Sequence, residues 1–362
     1  MNSWLMLPSC ALIAIAGSNA RAPESPAGPS IPFLPRPVAS DGAQLVAFEV
    51  VSGTTIGFKK VVEVSIIDKR TGAILVRYDR SQLQARLSEH LPSAKSQRFY
   101  FELNLRVDVA PQDLIASVRY LSGGGIHELR SPPVPFDTTA PVELGPPLRG
   151  GPWVAVHHPS WPRGHRRVVL VQGGVERIPG RYAVDWVGVD AEGRTTTGDA
   201  DRPGDAVGYG AEVLAGADGR VEDMRDGVLE SDSITGNPAK SPAEGSGNYV
   251  ALRIGPKRYA IYEHLKPGSI RVRRGERVKT GQVIARLGFT GSSTGPHLHL
   301  HVADCASPIA CEGVPFLIRG MTERGRYSDL GNLGVHAWNK AAARGKLRPE
   351  WPGYNVVISF ED

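Results

Sequence analysis

The sequence predicts a mostly β protein, and two observations support this. Its 362 residues include 42 glycines and 29 prolines, which favours turns and short strands over long helices. Short runs rich in Val, Ile, Phe and Tyr alternate with polar breaks along most of the chain. At about 150 residues per domain, the length suggests two domains. We therefore expect two β domains, each with its own core.

The amino-terminal residues are typical of a secretory signal. An apolar stretch from Trp4 to Ala16 precedes small residues and is too short to span a membrane. We predict a signal peptide over 1–20, export to the periplasm or the cell exterior, and no stable membrane span. Prolines then recur at every third position, which suits an extended polyproline II tether over 21–38.

The next region reads as an antiparallel β-sandwich over 39–137. It holds no cluster of catalytic residue types, so we interpret it as an accessory domain. A Pro/Gly-rich linker is expected over 138–150. The spacing of the runs predicts the strands of the sandwich, namely QLVAFEVV, VVEVSIID, AILVRYD, RFYFELNLRVDV and LIASVRYL.

The second domain is predicted over 151–319, where strand-like runs continue and the glycine and histidine content rises. Tight turns are expected at Gly275 and Gly281, each followed by a β-branched or apolar run. The tail, 320–362, contains one predicted short helix around VHAWNKAAARGK and no recognisable chemistry. Other predicted strands are YGAEVLAGADGRV, NYVALRI and RYAIYEHL.

The charge of the chain is weakly informative about partners. Its net charge of +5 would suit an anionic partner such as a bacterial cell wall, a nucleic acid or a membrane surface. The basic residues are spread through the chain rather than clustered. We therefore expect no nucleic-acid partner.

Three histidines occupy alternate positions in GPHLHLHV: His297, His299 and His301. In a strand they would share one face at roughly 6 to 7 Å spacing, which allows two imidazoles to converge on one cation. The pattern also fits an ordinary amphipathic strand. A hydrolytic zinc site needs three protein ligands, an open position and a nearby acid or base. Asp185 in RYAVDWVGVD and His264 in RYAIYEHL are the further candidates.

Three motifs occur in one order along the second domain: YGAEVLAGADGRV, YEHL and GQVIARLGFTGSSTGPHLHLHV. In this order they resemble the A-x-x-D-G-x-V, Y-x-H-L and G-x-T-G-x-S-T-G-P-H-L-H motifs of the lysostaphin-like (β-lytic) zinc endopeptidases of bacterial cell walls. The resemblance covers roughly residues 151–318. It implies a lysostaphin-like antiparallel β-sheet peptidase domain, a Zn²⁺ cofactor and peptidoglycan as the partner.

The resemblance also implies roles for individual residues. His299 and Asp185 would be zinc ligands, and His264 and His297 would be catalytic residues that assist the attacking water and the developing oxyanion. The family's first histidine ligand is replaced by Arg181, whose guanidinium carries only donors and cannot ligate a cation. On the strand face of Asp185, Arg181 would instead donate a hydrogen bond to that carboxylate or to substrate.

A histidine from elsewhere in the chain would complete the ligand set. His165 in SWPRGHRRVVLV is the best candidate, because it precedes a predicted strand and lies twenty residues before Asp185. His157 and His158 are further candidates, and each of the three is otherwise a histidine of a surface loop. His301, where the family often has an acidic residue, is interpreted as a supporting or structural residue.

Our leading hypothesis is an exported zinc metallopeptidase that hydrolyses peptide bonds in peptidoglycan. The alternative is a catalytically degenerate cell-wall-binding or regulatory protein of the same fold. Metal storage or sensing through the histidine cluster is a third hypothesis.

Two cysteines, Cys305 and Cys311, would remain once the signal peptide is removed. An even pair suits an oxidising compartment, and a six-residue separation can bring the two Cα atoms into bonding range through a turn. We predict a disulfide between them.

Overall fold

The structure is a computed structural model that describes residues 26–57, 59–87, 96–106, 113–158, 160–161, 164–172 and 175–361. It confirms the mostly β prediction: strands form its sheets, and its α-helices are the short segments α1 (Arg80–Gln84) and α2 (Pro242–Gly245). Within these ranges, no helix has the length and apolar character needed to cross a lipid bilayer. The predicted signal peptide, 1–20, lies outside the described residues.

The amino-terminal unit is an antiparallel β-sandwich, as predicted. A three-stranded sheet of order β1-β2-β5 packs on a four-stranded sheet of order β4-β3-β6-β7, with Phe48, Phe101 and Ile66 in the core between them. The strands are β1 (Pro37–Ser40), β2 (Ala43–Val51), β3 (Val61–Asp68), β4 (Ile74–Asp79), β5 (Arg98–Leu105), β6 (Leu114–Ser122) and β7 (Gly125–Arg130).

Strand β2 is buried on both faces. Val46, Phe48 and Val50 point into the sandwich core, whereas Leu45 packs in the core of the second unit and Glu49 is fully buried. The amino-terminal unit is therefore packed against the second unit through its three-stranded sheet.

The described part of the predicted tether differs from an extended spacer. Ser30 and Val51 exchange backbone hydrogen bonds of 2.9 and 2.8 Å, Ile31 is buried in the sandwich core, and Pro37–Ser40 forms β1 against β2. The proline spacing is compatible with polyproline II, but the apolar side chains between the prolines gain more by burial against β2. Residues 21–25 lie outside the described residues.

The second unit is organised around a ten-stranded sheet of order β17-β14-β15-β16-β19-β12-β9-β23-β21-β22. Two-stranded sheets pair β13 with β18, β8 with β20 and β10 with β11. The bounds are β8 (Val142–Leu144), β9 (Trp153–Val156), β10 (Leu170–Gln172), β11 (Val175–Arg177), β12 (Val184–Gly188), β13 (Glu212–Leu214), β14 (Gly219–Arg225), β15 (Asn248–Gly255), β16 (Arg258–Leu265), β17 (Arg277–Val278), β18 (Val283–Arg286), β19 (Leu298–Ala303), β20 (Phe316–Ile318), β21 (Met321–Arg326), β22 (Gly345–Lys346) and β23 (Val356–Phe360).

The carboxyl-terminal residues belong to this sheet. Strand β23 pairs with β9 and β21, and the predicted helix around VHAWNKAAARGK is reduced to a 3₁₀ turn at Lys340–Ala342. The helix prediction is wrong because Trp338 is buried in a small hydrophobic cluster with Tyr327 and Leu330. Its Nε1–H donates to the Arg324 carbonyl oxygen at 3.0 Å. The predicted linker also contains a strand, β8, which pairs in parallel with β20.

Cys305 and Cys311 form the predicted disulfide, with their Cα atoms 5.4 Å apart. The bridge closes a loop after β19, and Cys311 packs on Ala251, Ile261 and Ala303 of the sheet. It therefore fixes this loop on one face of the central strands.

We expect the double substitution Cys305→Ser, Cys311→Ser to lower the free energy of unfolding by about 2 kcal/mol. The reason is that the unfolded chain, no longer closed into a small loop, gains conformational entropy. Denaturant unfolding measures the change, and the reduced wild-type protein should match the double variant. Two free thiols in denatured oxidised protein lacking residues 1–20 would contradict the bridge.

Candidate metal and catalytic site

The site is built on three neighbouring antiparallel strands, β12, β19 and β16. Asp185 on β12 lies opposite His299 on β19, and His299 lies opposite Glu263 on β16. Leu298 and Leu300 point into the core, so the alternating histidines point to the other face of the sheet, as the sequence pattern predicted.

His165, Asp185 and His299 converge at one point of this face. His165 Nε2 lies 2.8 Å from Asp185 Oδ2, and His299 Nδ1 lies 2.8 Å from Asp185 Oδ1. One donor atom from each residue lies within 4.8 Å of the others. A tetrahedral ion with bonds of about 2.0 to 2.1 Å keeps its donors about 3.3 Å apart, so small side-chain movements suffice. Two imidazoles and a carboxylate form a donor set that fits zinc.

His165 reaches Asp185 from a 3₁₀ turn, His165–Arg167, that packs on a second 3₁₀ turn, Pro179–Tyr182. The approach is close: a Cβ atom on Gly180 would lie 2.7 Å from His165 Cβ, which real Cβ atoms essentially never show. Glycine at 180 is therefore needed for His165 to enter the site.

The electrostatics of the cluster favour an ionised carboxylate. Burial alone would raise the pKa of Asp185, but the neighbouring His165 and His297 hold it well below its usual range. Burial alone would lower the pKa of His165, and the Asp185 carboxylate raises it above its usual value. Burial lowers the pKa of His299, which favours the neutral ring that a metal ligand requires.

His264 faces the site because of a β-bulge at the end of β16. Tyr262 and Leu265 both point into the core, which places two residues, Glu263 and His264, between them on the site face. The φ angle of His264 is +62°, in the left-handed region that side-chain-bearing residues rarely adopt. Such backbone strain is common where a catalytic side chain must be held in place.

The rings of His264 and His297 are each oriented by a hydrogen bond from Nδ1 to a backbone carbonyl oxygen. His264 Nδ1 lies 2.8 Å from the Thr290 carbonyl oxygen, and His297 Nδ1 lies 2.7 Å from that of Gly295. A carbonyl only accepts, so Nδ1 carries the proton in each ring and Nε2 is left for chemistry. The ring centroids lie 4.7 Å apart, and His297 Nε2 is 3.3 Å from Asp185 Oδ1.

Arg181 does not contact Asp185, and the prediction of that hydrogen bond is wrong. The residue lies in a 3₁₀ turn rather than on β12, so the expected strand alternation does not apply to it. Its Nη1 donates to both carboxylate oxygens of Glu49 at 2.8 and 2.7 Å, and its Nε donates to Glu312 at 2.7 Å.

The other two candidate histidines, His157 and His158, lie beside the cluster of His165, Asp185 and His299 without joining it. His157 Nε2 lies 3.0 Å from the Pro352 carbonyl oxygen, and its ring lies against Trp351. His158 Nδ1 is bonded to Ser160. Both line an aromatic and apolar cavity next to Asp185 and His297, whose walls also include Trp161, Leu330, Leu333 and Trp351.

Sequence reasoning missed Glu263. Its Oε1 lies 3.6 Å from His299 Nε2 and 3.2 Å from His301 Nδ1, and all three side chains are buried. The carboxylate therefore lies behind His299, on the side away from Asp185, and beside His301. The signal was present in the predicted strand RYAIYEHL, where pairing with the histidine strand places this residue opposite His299.

Part of the chain that contains three of the site histidines matches a known protein family. Residues 205–311 match Peptidase family M23. The chain carries an M23 peptidase domain. The match includes His264, His297 and His299, whereas Asp185 and His165 lie before it in the sequence. The fold brings both residues to the M23 histidines.

Relatives of the M23 domain include an uncharacterized metalloprotease of Haemophilus influenzae, 35% identical over 33% of this chain and 22% of that protein. The peptidoglycan DD-endopeptidase ShyC of Vibrio cholerae is 42% identical over 20% of this chain and 15% of its own. The chain thus spans less than a quarter of the length of these relatives. A solved structure of a putative M23 peptidase from Pseudomonas aeruginosa aligns at 16% identity with a TM-score of 0.27, covering 69% of this chain and 90% of that chain.

Proposed function

We propose that the protein is an exported zinc metallopeptidase that hydrolyses peptide bonds in bacterial peptidoglycan. The observation that carries this proposal is the convergence of His165, Asp185 and His299, with donor atoms within 4.8 Å, beside two histidines whose Nδ1 atoms are already bonded. The first three are a ligand set, and the other two are a pair of acid–base groups.

His165 Nε2, one oxygen of Asp185 and His299 Nδ1 would hold the zinc. Bound zinc would supply the Lewis acid that peptide-bond hydrolysis needs, and three protein ligands leave a position open for the reactants. Glu263 Oε1 lies 3.6 Å from the outer nitrogen of His299, where its negative charge favours a proton on that nitrogen and leaves Nδ1 for the metal.

His264 would accept the proton of the attacking water, and His297 would stabilise the negative charge that develops on the scissile carbonyl oxygen. Burial lowers the pKa of His264 to about 3, so its ring is neutral near pH 7 and its Nε2 can accept a proton from the attacking water. Burial alone would lower the pKa of His297, but the Asp185 carboxylate raises it, which favours a protonated ring. A protonated Nε2 can donate to the oxygen of the scissile carbonyl as charge develops there.

The substrate and the location rest on two supports. A related protein, ShyC, is a peptidoglycan DD-endopeptidase, and residues 205–311, which match Peptidase family M23, contain His264, His297 and His299. The disulfide between Cys305 and Cys311 suits an oxidising compartment such as the periplasm or the cell exterior.

Zinc content and activity on purified peptidoglycan test the proposal together. We expect one zinc per chain and the release of new amino groups from intact sacculi, with both lost after treatment with a chelator and restored by added zinc. Binding to sacculi with no release of amino groups would overturn the proposal in favour of the cell-wall-binding alternative.

A further inference from the structure

We propose that Glu49, in the amino-terminal sandwich, is a positioning residue for the zinc site, so that the accessory unit completes the peptidase site. This inference rests on the proposed function, because it assumes that His165 is a zinc ligand. It goes further by assigning a positioning role to the sandwich and to Arg181, which the resemblance implies stands in place of the family's first histidine ligand.

Arg166, the residue after His165, is anchored in the sandwich. Its Nε donates to Glu49 Oε1 at 3.0 Å, its Nη1 donates to Glu102, and its Nη2 donates to the Phe48 and Phe101 carbonyl oxygens. The Arg166 side chain is only 3% exposed. Its acceptors lie on β2 and β5, two paired strands of one sheet, so the position of Arg166 is set by a rigid element.

Arg181 is bound to the same carboxylate from the second 3₁₀ turn. Both of its hydrogen bonds to Glu49 are short, and its third bond, to Glu312, ties this turn to the segment after the disulfide. Glu49 therefore bridges the two turns, one through Arg166 and one through Arg181. A fully buried carboxylate between two guanidiniums is held without competition from water.

The bridge draws together the two turns that must touch for His165 to reach Asp185. Only a glycine at 180 allows the close approach, because a Cβ atom there would lie 2.7 Å from His165 Cβ. His165 is thus held from two sides: Arg166 fixes the chain next to it, and Gly180 provides the space. Without the bridge, the two turns would lose the carboxylate that joins them, and the His165 turn would be held to the sandwich by its remaining contacts, such as those of Arg166.

The test compares zinc affinity among variants of the full chain. Glu49→Gln keeps the shape of the side chain and removes the charge that joins the two arginines. Gly180→Ala leaves every charge in place and adds only the crowding methyl group. We expect each variant to bind zinc about 10 to 100 times more weakly than wild type, the loss typical when the support of a ligand is removed.

Asp41→Asn is the matched control. Asp41 also joins the two units through an ion pair, with Arg326 Nη2 at 2.7 Å, but it is bonded to neither of the turns that carry the site. We expect Asp41→Asn to retain the wild-type zinc affinity. Circular dichroism checks that each variant is folded, and the visible absorption of bound Co²⁺ reports the ligand geometry independently of activity.

The outcomes separate this inference from the proposed function. If His165→Ala loses zinc while Glu49→Gln and Gly180→Ala bind as wild type, the positioning role of Glu49 is wrong and the proposed site stands. If His165→Ala binds zinc as wild type, His165 is not a zinc ligand. The proposed ligand set is then wrong, and the positioning role of Glu49 is wrong with it. If Glu49→Gln does not fold, Gly180→Ala decides whether displacing the His165 turn lowers zinc affinity.

Discussion

The substitution His165→Ala is expected to weaken zinc binding by more than about 100-fold, because loss of a direct ligand exceeds the 10- to 100-fold cost of losing an outer support. Asp185 and His299 would remain as two protein ligands, one fewer than catalytic zinc sites use. Competition with a chelator of known affinity measures the loss. Activity on sacculi should fall in parallel at limiting zinc and recover in part when zinc is added in excess.

His158→Ala is the control for this variant. His158 belongs to the same part of the chain and lines the neighbouring cavity, but it is bonded to Ser160 rather than to the cluster. We expect it to retain zinc. Unchanged zinc affinity in His165→Ala would show that another residue completes the zinc ligand set or that no third protein ligand is needed.

The second large effect is expected for His264→Ala, which should keep one zinc per chain and lose turnover by about 10² to 10⁴. In free energy of activation this is about 2.7 to 5.4 kcal/mol. The reason is that His264 makes its Nδ1 bond to the Thr290 carbonyl and offers only Nε2 to the reaction. Metal analysis and the rate of amino-group release from sacculi are measured on the same sample.

The contrasting variant is His299→Ala, which removes a proposed zinc ligand whose Nδ1 lies 2.8 Å from Asp185 Oδ1. We expect it to lose both zinc and activity. His336→Ala, an exposed histidine of the carboxyl-terminal segment, should change neither. Equal zinc contents in His264→Ala and His299→Ala would refute the division into ligand and acid–base residues.

Local pattern was sufficient for several strands of both units. The run VVEVSIID coincides with β3, and RYAIYEHL coincides with β16, because each is a short run rich in β-branched or aromatic residues that ends at a turn. The alternation of histidine and leucine placed His297 and His299 together on one face. Donor atoms of Asp185 and His165 lie within 4.8 Å of that of His299, and the role of these three residues as zinc ligands stays a prediction.

Features that depend on distant parts of the chain were not predictable in this way. Strict alternation would point His264 into the core, and only the bulge between the Asn248 and Val250 pairings of β15 returns it to the site. Arg181 was expected beside Asp185, but its partner, Glu49, lies 132 positions earlier in another unit. The apolar residues of the tether and of the tail are buried by β2 and β9, which no local window of sequence contains.

The pairing of Asp185 with His299 in the strand ladder has a consequence for folding. Successive side chains point to opposite faces, so a slip of one residue in β19 would turn His299 into the core and put a leucine in its place. A zinc ion held by the proposed ligands His165, Asp185 and His299 would therefore bind only the chain whose central strands are correctly aligned. An ion that binds only the correctly paired chain stabilises that chain by about 2.7 kcal/mol when its free concentration is 100 times its Kd. Chains with misaligned strands gain no stability from the ion. Bound metal in the purified protein would thus report that the strands of its sheet are in register.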